Sequence, residues 1–168
     1  MSDKILVTYA SKCGSTSEVA EAIGKVLCDK GAAADVRPAK DVADASDYQA
    51  VVVGSAIRAG QLLPPATKFV ETHQGALSRV PVAYFVVCLT MKDDTEENRR
   101  TVAAYLDPVR EMVQPVEVGL FAGAMNYSEL PLPMRLLMKA MKSPEGDFRD
   151  WDSIRAWADG LRPILLGA

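Results

Sequence analysis

The run Val82-Ala83-Tyr84-Phe85-Val86-Val87-Cys88-Leu89 carries no charge and no helical period, and it constrains the fold more than any other stretch. A strand that is apolar at every position is buried on both faces, as in parallel sheets covered by helices on either side. Val51-Val52-Val53 is of the same kind, with Tyr48 and Ala50 leading in and Gly54-Ser55 at its carboxyl end. Shorter apolar runs at 4–9, 33–37 (ended by Pro38) and 116–123 complete the set of predicted strands. Helical patterns fall between them. One covers 15–30 and stops at Gly31, and another opens on Pro64-Pro65, turns Phe69 and Val70 inward and fades near Gly75. A third opens with Asp94 as cap and Glu97 as its reciprocal acceptor, buries Val102, Tyr105, Leu106 and Val109, and bends at Pro108. The last starts at Asp150 with the stripe Trp151, Ile154, Ala158, Leu161, Leu165, leaving Trp157 one position off it and partly exposed. Alternating strands and helices without repeat or linker predict one three-layer α/β domain over residues 1–168.

Such open sheets place ligands outside the carboxyl ends of their strands, where the strand order reverses. The loop after the first strand, Ser11-Lys12-Cys13-Gly14-Ser15-Thr16-Ser17, is therefore the first candidate site. It joins a strand to a helix N-terminus, where free backbone N–H groups and the positive helix end favour an anion. The loop is too short for a Walker-type turn and lacks the three glycines of a dinucleotide fingerprint. It suits a single terminal phosphate. The competing reading is an ordinary capped helix, with Ser15 and Glu18 as a capping box. Cys13 lies at this helix end, where a thiol pKa falls, but no arginine accompanies it in the loop for thiol or phosphatase chemistry.

Two further loops lie at the predicted strand tips. Gly54-Ser55-Ala56-Ile57-Arg58-Ala59-Gly60-Gln61 offers a flat apolar contact at Ile57 and an oriented cation at Arg58. Leu89-Thr90-Met91-Lys92-Asp93-Asp94 combines apolar side chains with exposed backbone polar groups suited to the edge of a ring. The three loops together make a cleft for an elongated ligand with one phosphate and a large flat head; read one by one, they are ordinary α/β loops. The paired carboxylates Asp93 and Asp94 are explained by helix capping, and His73 falls near a helix end away from the strand tips.

Composition excludes several classes. Lys+Arg 19 against Asp+Glu 22, a formal charge of -3 and a pI ≈ 5.2 argue against a general nucleic-acid binder. The N-terminal residues lack a signal-peptide pattern and no apolar run reaches the length of a membrane span, so a cytoplasmic protein is expected. Cys13, Cys28 and Cys88 are far apart with no CxxC, which supports neither a disulfide framework nor a metal site. Cys28 and Cys88 are expected to be buried as small hydrophobes.

With these residues in view, the chain resembles the flavodoxin-like FMN proteins over nearly its whole length. Ser11-Lys12-Cys13-Gly14-Ser15-Thr16 matches that family's phosphate loop, Thr/Ser-x-x-Gly-x-Thr. The resemblance, not the spacing, implies a flavodoxin-like three-layer sandwich with a five-stranded parallel sheet of order 2-1-3-4-5 and FMN at its switch point. It implies that Ser11, Gly14, Ser15 and Thr16 hold the FMN phosphate, with Ser17 an extra donor and Lys12 and Cys13 giving backbone N–H groups. Ser55, Ala56, Ile57 and Arg58 from one loop, and Leu89, Thr90, Met91 and Lys92 from the other, would receive the ring. Within the family the chain looks most like the flavodoxin-like, menaquinone-dependent protoporphyrinogen oxidases (dehydrogenases). The words that carry this are Gly54-Ser55-Ala56-Ile57-Arg58, Leu120-Phe121-Ala122-Gly123-Ala124 and Gly146-Asp147-Phe148-Arg149-Asp150-Trp151.

That resemblance implies an FMN-dependent oxidoreductase that passes electrons from a reduced substrate, protoporphyrinogen IX in the relatives, to a quinone or a redox protein. Arg58 is then the candidate catalytic residue, an oriented cation for reduced flavin or for a carboxylate-bearing substrate. One departure stands out: flavodoxin carriers place aromatic rings against the flavin, whereas here the loops offer Ile57 and Met91. A general flavodoxin-like carrier or quinone reductase is the alternative, and a noncatalytic α/β binding domain another.

A small carrier passes promptly from its fifth strand to its last helix, but this chain inserts Met125 to Arg149. Asn126 to Pro133 reads as an extended, proline-punctuated crossing, and 134–142 as a short helix apolar at 134, 137, 138 and 141 beside Arg135, Lys139 and Lys142. Met125, Met134, Met138 and Met141 give it an adaptable surface. A basic, Met-rich helix suits a tetrapyrrole, a quinone tail or a peripheral membrane contact through 134–142. A plainer reading makes it a lid over the core edge, with Leu137 and Met141 on its inner side.

Overall fold

The computed structural model describes residues 4–11, 14–125, 132–140 and 146–166. Its elements run β1 (Lys4–Ala10), α1 (Ser15–Asp29), β2 (Ala33–Pro38), β3 (Ala50–Arg58), β4 (Gln61–Leu62), α2 (Pro64–Thr72), α3 (Gln74–Leu77) and β5 (Val82–Cys88). Then come α4 (Glu96–Ala104), α5 (Asp107–Met112), β6 (Glu117–Ala122), β7 (Ala124–Met125), α6 (Leu132–Ala140), β8 (Gly146–Asp147) and α7 (Trp151–Leu166). The main sheet is ordered β2-β1-β3-β5-β6 and is parallel throughout, which is 2-1-3-4-5 when only these five strands are counted. The short β4 folds back antiparallel on the end of β3.

Side chains of a strand alternate between faces, and the core divides accordingly. Ile5, Val7, Val52, Ala83, Phe85 and Val87 point to the side covered by α1 and α7, with Val19, Ile23, Leu27, Ile154 and Leu161 packed on them. Leu6, Val51, Val53, Tyr84 and Val86 point the other way, onto Phe69, Val70, Leu77, Val102, Leu106 and Val109 from α2 to α5. The unbroken apolar runs at 51–53 and 82–88 are buried on both faces because both faces carry helices. Tyr84 carries a polar group into this core, and its hydroxyl donates to the carbonyl of Val113 at 2.7 Å.

Several local expectations are corrected. The third strand runs to Arg58 instead of ending at Gly54, because Ile57 and Arg58 pair with Leu62 and Gln61. Thr95, not Asp94, caps α4, accepting from the Asn98 N–H, and Asp94 pairs with Arg99. The bend expected at Pro108 is a break at Tyr105-Leu106 between α4 and α5, with proline in the first turn of α5. The helix from Pro64 is interrupted at His73, which packs half-buried against the Phe69 ring at 4.7 Å.

Cys28 is exposed and Cys88 only half-buried, so neither is a buried hydrophobe. The inward stripe of α1 is Val19, Ala20, Ile23 and Leu27, which turns Cys28 outward. Cys13 lies outside the described residues. Trp157 is half-buried as expected and meets Phe121 edge-on at 5.4 Å.

The insertion begins and ends on a two-stranded ribbon, Ala124 opposite Asp147 and Met125 opposite Gly146. Its helix starts at Leu132, two positions earlier than the pattern predicts, so Leu132-Pro133 belongs to the helix and not to an extended crossing. Leu137 is 52% exposed, which removes it from the inner side of a lid. Asn126 to Pro131 and Met141 to Glu145 lie outside the described residues, as do the side chains of Met125 and Met138.

Candidate functional site

The loops after β1, β3 and β5 meet at the carboxyl edge of the sheet, where β1 and β3 are neighbours and the chain's winding reverses. Gly14, the residue ahead of α1, has φ 87°, a left-handed conformation that glycine adopts without a Cβ clash. It turns the chain from strand to helix. The Ser11 hydroxyl accepts from the Gly14 N–H at 3.0 Å, and the Ser17 hydroxyl donates to the Gly14 carbonyl at 2.7 Å. No side chain caps the helix, and the capping-box reading fails: Ser15 is already helical and the Glu18 carboxylate pairs with Arg149.

The N–H groups of a first helical turn have no acceptor within the helix. Those of Ser15, Thr16 and Ser17 therefore crown the positive end of α1, directly after the loop. Thr16 is fully buried, and its hydroxyl has no hydrogen-bond partner among the described residues. A buried hydroxyl left unpaired costs about 1–3 kcal/mol, and Thr8 on β1 carries a second such hydroxyl among the described residues. Lys12 and Cys13 lie outside the described residues.

The second loop is a β-hairpin. Ala59 and Gly60, at φ 52° and 73°, form its two-residue turn, the geometry that matches the twist of the flanking strands. Ser55 is only 2% exposed; its hydroxyl accepts from the Leu63 N–H at 2.9 Å and donates to the Ala56 carbonyl at 2.7 Å. Its hydroxyl thus ties α2 to the hairpin. Ala56 and Ile57 are half-buried, and Arg58 stands exposed with no ion-pair partner among the described residues. The hairpin fixes the backbone that carries this side chain.

The third loop is a tight turn over Leu89–Lys92. Asn98 from α4 fixes it, its side-chain amide donating to the carbonyls of Thr90 at 3.2 Å and Asp93 at 2.8 Å. Met91 is 5% exposed and packs into the core. Leu89 is half-buried, while Thr90 and Lys92 are exposed. What this loop presents is its backbone and the Leu89, Thr90 and Lys92 side chains. Burial pushes the Cys88 thiol above its ordinary pKa, away from reactivity.

The fold brings Arg149, which no local motif marks, against the first loop. Its guanidinium forms a two-pronged pair with Asp147 at 2.9 and 2.7 Å, and its third nitrogen pairs with Glu18 of α1 at 2.5 Å and stands 3.5 Å from the Ser15 carbonyl. The Trp151 ring covers it at 4.8 Å. Hydrogen bonding to Asp147, then to Glu18, holds the guanidinium above its ordinary pKa, and Arg149 in turn lowers that of Asp147. The preceding residue, Phe148, lies 6.0 Å from the Lys92 ammonium of the third loop. The only signal in the sequence was the charged tract Asp147-Phe148-Arg149-Asp150, which says nothing of the distant Glu18.

An open, doubly wound parallel sheet with a strand-loop-helix turn at its switch point defines a class of folds that place ligands at that edge. A family model described as a flavodoxin domain matches residues 6–152, and the chain belongs to that family of electron-transfer proteins. Among curated relatives, a protein named protoporphyrinogen IX dehydrogenase [quinone] from Leishmania major is 29% identical over 179 residues, covering 98% of this chain and 77% of its own. One of the same name from Escherichia coli (strain K12) is 25% identical over 167 residues, covering 92% of each. Among solved structures, a flavodoxin from the domain Archaea superposes with TM-score 0.59 at 20% identity over 96% of this chain and 97% of its own. A short-chain flavodoxin associated with a non-canonical PDU bacterial microcompartment gives 0.63 at 13%, over 94% and 95%. These structures share the fold. Among the described residues, no helix is long and apolar enough to cross a membrane.

Proposed function

We propose that the chain is an FMN-dependent oxidoreductase that takes electrons from a reduced, carboxylate-bearing substrate of the porphyrinogen class and delivers them to a quinone or a redox protein. The observation that carries the cofactor assignment is the buried, unpartnered Thr16 hydroxyl beneath a helix end whose first-turn N–H groups lack internal acceptors. A phosphate oxygen supplies the missing acceptor, so the residues present fit the group. Ser11, Gly14, Ser15, Thr16 and Ser17 would hold the phosphate, with the backbone of Lys12 and Cys13. Ser55, Ala56, Ile57 and Arg58, with Leu89, Thr90, Met91 and Lys92, would bound the ring, Ser55 and Met91 by shaping their loops from within.

Bound FMN supplies the redox centre. The protein supplies position and charge. Ile57 and Leu89 are the half-buried apolar side chains that the two loops themselves offer the ring. Arg58, exposed at the hairpin rim, is the candidate catalytic cation and attracts substrate carboxylates. The substrate class rests on the relatives' names, which cover most of this chain. Leu132, Leu136 and Leu137, each more than half exposed on α6 with Arg135 and Lys139 nearby, support a peripheral membrane contact toward a lipid-borne acceptor.

The test is anaerobic turnover of FMN-reconstituted protein with protoporphyrinogen and a menaquinone analogue, read by porphyrin fluorescence. Porphyrin formation that depends on both FMN and quinone is expected. Quinone reduction without porphyrin formation leaves a flavodoxin-like carrier or reductase. Folded protein that leaves the spectrum of added FMN unperturbed rejects every flavin-dependent reading.

A further inference from the structure

The insertion's return strand ends beside the cofactor loop, and the contact is electrostatic. Glu18 lies in the first turn of α1, on the same helix end whose N–H groups face the anion loop. A bare carboxylate there stabilises the helix dipole, but it repels a phosphate placed at that end. Arg149 meets this carboxylate with a guanidinium that is itself 10% exposed, while Glu18 is 58% exposed. The arginine is fixed from every side. Asp147 grips it with two parallel hydrogen bonds, the Trp151 ring lies against it, and the backbone is locked before and after. Before it, Phe148 donates its N–H to the Gly123 carbonyl at 3.1 Å; after it, Asp150 caps α7 by accepting from the N–H and hydroxyl of Ser153. A guanidinium held this way loses little freedom on meeting Glu18.

We propose that Arg149 is a positioning residue for the cofactor phosphate: it offsets part of the Glu18 charge at the start of α1, its own charge being shared with Asp147, and ties the end of the insertion to the first turn of α1. This rests on the FMN reading above. The pair acts on the phosphate alone, because Glu18 and Arg149 belong to the helix end that faces the anion and not to the loops assigned to the ring. FMN and riboflavin differ by that phosphate, so their affinities separate the effect from a general loosening of the site.

The experiment measures FMN and riboflavin dissociation constants by flavin fluorescence for the wild type, Arg149→Gln, Arg149→Lys, Glu18→Gln and the Arg149→Gln/Glu18→Gln pair, with a melting curve for each. Arg149→Gln is expected to weaken FMN roughly fivefold and to leave riboflavin within about twofold, the modest size reflecting the exposure of Glu18. Adding Glu18→Gln restores FMN affinity, Arg149→Lys keeps part of it, and Glu18→Gln alone tightens FMN. The difference between FMN and riboflavin shrinks at high salt. Equal loss for both flavins, a double variant no better than Arg149→Gln, or a Glu18→Gln protein that binds FMN no more tightly overturns the proposal while leaving the cofactor reading intact. Wild-type protein that binds no FMN overturns both. If Arg149→Gln does not fold, the Glu18→Gln and Arg149→Lys proteins still decide it, since neither removes the cation.

Discussion

The ring of Phe85 lies directly over the Cα of Gly54 on the neighbouring strand, so that a Cβ built there would fall 1.9 Å from the ring's Cζ. Phe85 in turn meets Trp157 at 6.2 Å and Phe121 at 6.3 Å, which leaves the ring no room to retreat. Gly54→Ala is expected to destabilise the domain by about 1–3 kcal/mol, as overpacking does. Urea unfolding measures it, and pairing the change with Phe85→Leu should return part of the loss. A neutral Gly54→Ala would mean that the ring is not confined.

Thr16 gives a prediction in which stability and binding part company. Thr16→Val replaces a buried, unpartnered hydroxyl by a methyl group, so ligand-free protein should melt at the same temperature or higher. FMN affinity should fall roughly fivefold or more through loss of one hydrogen bond to an anion. Calorimetry and fluorescence titration of one preparation check both halves.

Arg58 is exposed, so Arg58→Ala should leave folding stability within about 0.5 kcal/mol. Turnover of a carboxylate-bearing substrate should fall, and Arg58→Glu should lower it further. Equal rates for all three proteins in steady-state assays would remove Arg58 from the chemistry.

Tyr84 makes the fold alkali-sensitive. Burial raises its pKa above the ordinary 10.0, with Arg110 opposing weakly. Because the folded value is the higher one, the contribution is complete below the unfolded pKa and is lost as pH rises through about 10 toward the folded value. Tyr84→Phe should cost about 1 kcal/mol at neutral pH by leaving the Val113 carbonyl short of a donor. It should also flatten the decline in stability above pH 10, as pH-dependent urea melts would record.

The leucines of α6 supply the last prediction. Leu132 and Leu136 are 61% and 59% exposed, so replacing both by Gln should leave the melting temperature nearly unchanged. Cosedimentation with vesicles containing anionic lipid should decrease. Equal sedimentation of both proteins would remove α6 as a membrane contact.

The strands at 51–53 and 82–88 were legible because burial on two faces leaves an unbroken apolar run, and the order of the sheet came with the family resemblance. The hairpin at 54–62 was not, since Gly54 and Gly60 read as loop residues while the pairing that makes them a strand and a turn is set across the chain. Capping by Thr95 instead of Asp94 turns on one residue of register, which spacing alone does not resolve. At the candidate site, the turn from β1 into α1 was legible as a local motif. Arg149 was not, because its partner Glu18 stands 131 residues away and only tertiary structure joins them.

The ribbon formed by Ala124-Met125 and Gly146-Asp147 gives the insertion a single doorway. The two ends lie side by side, just past the last strand of the sheet. Closing such a gap with a tight turn costs little chain entropy, and lengthening it costs little more. An excursion tied in this way can be exchanged or reshaped while the sheet stays as it is, with Arg149 at the exit as the point where any exchange would be felt at the first turn of α1.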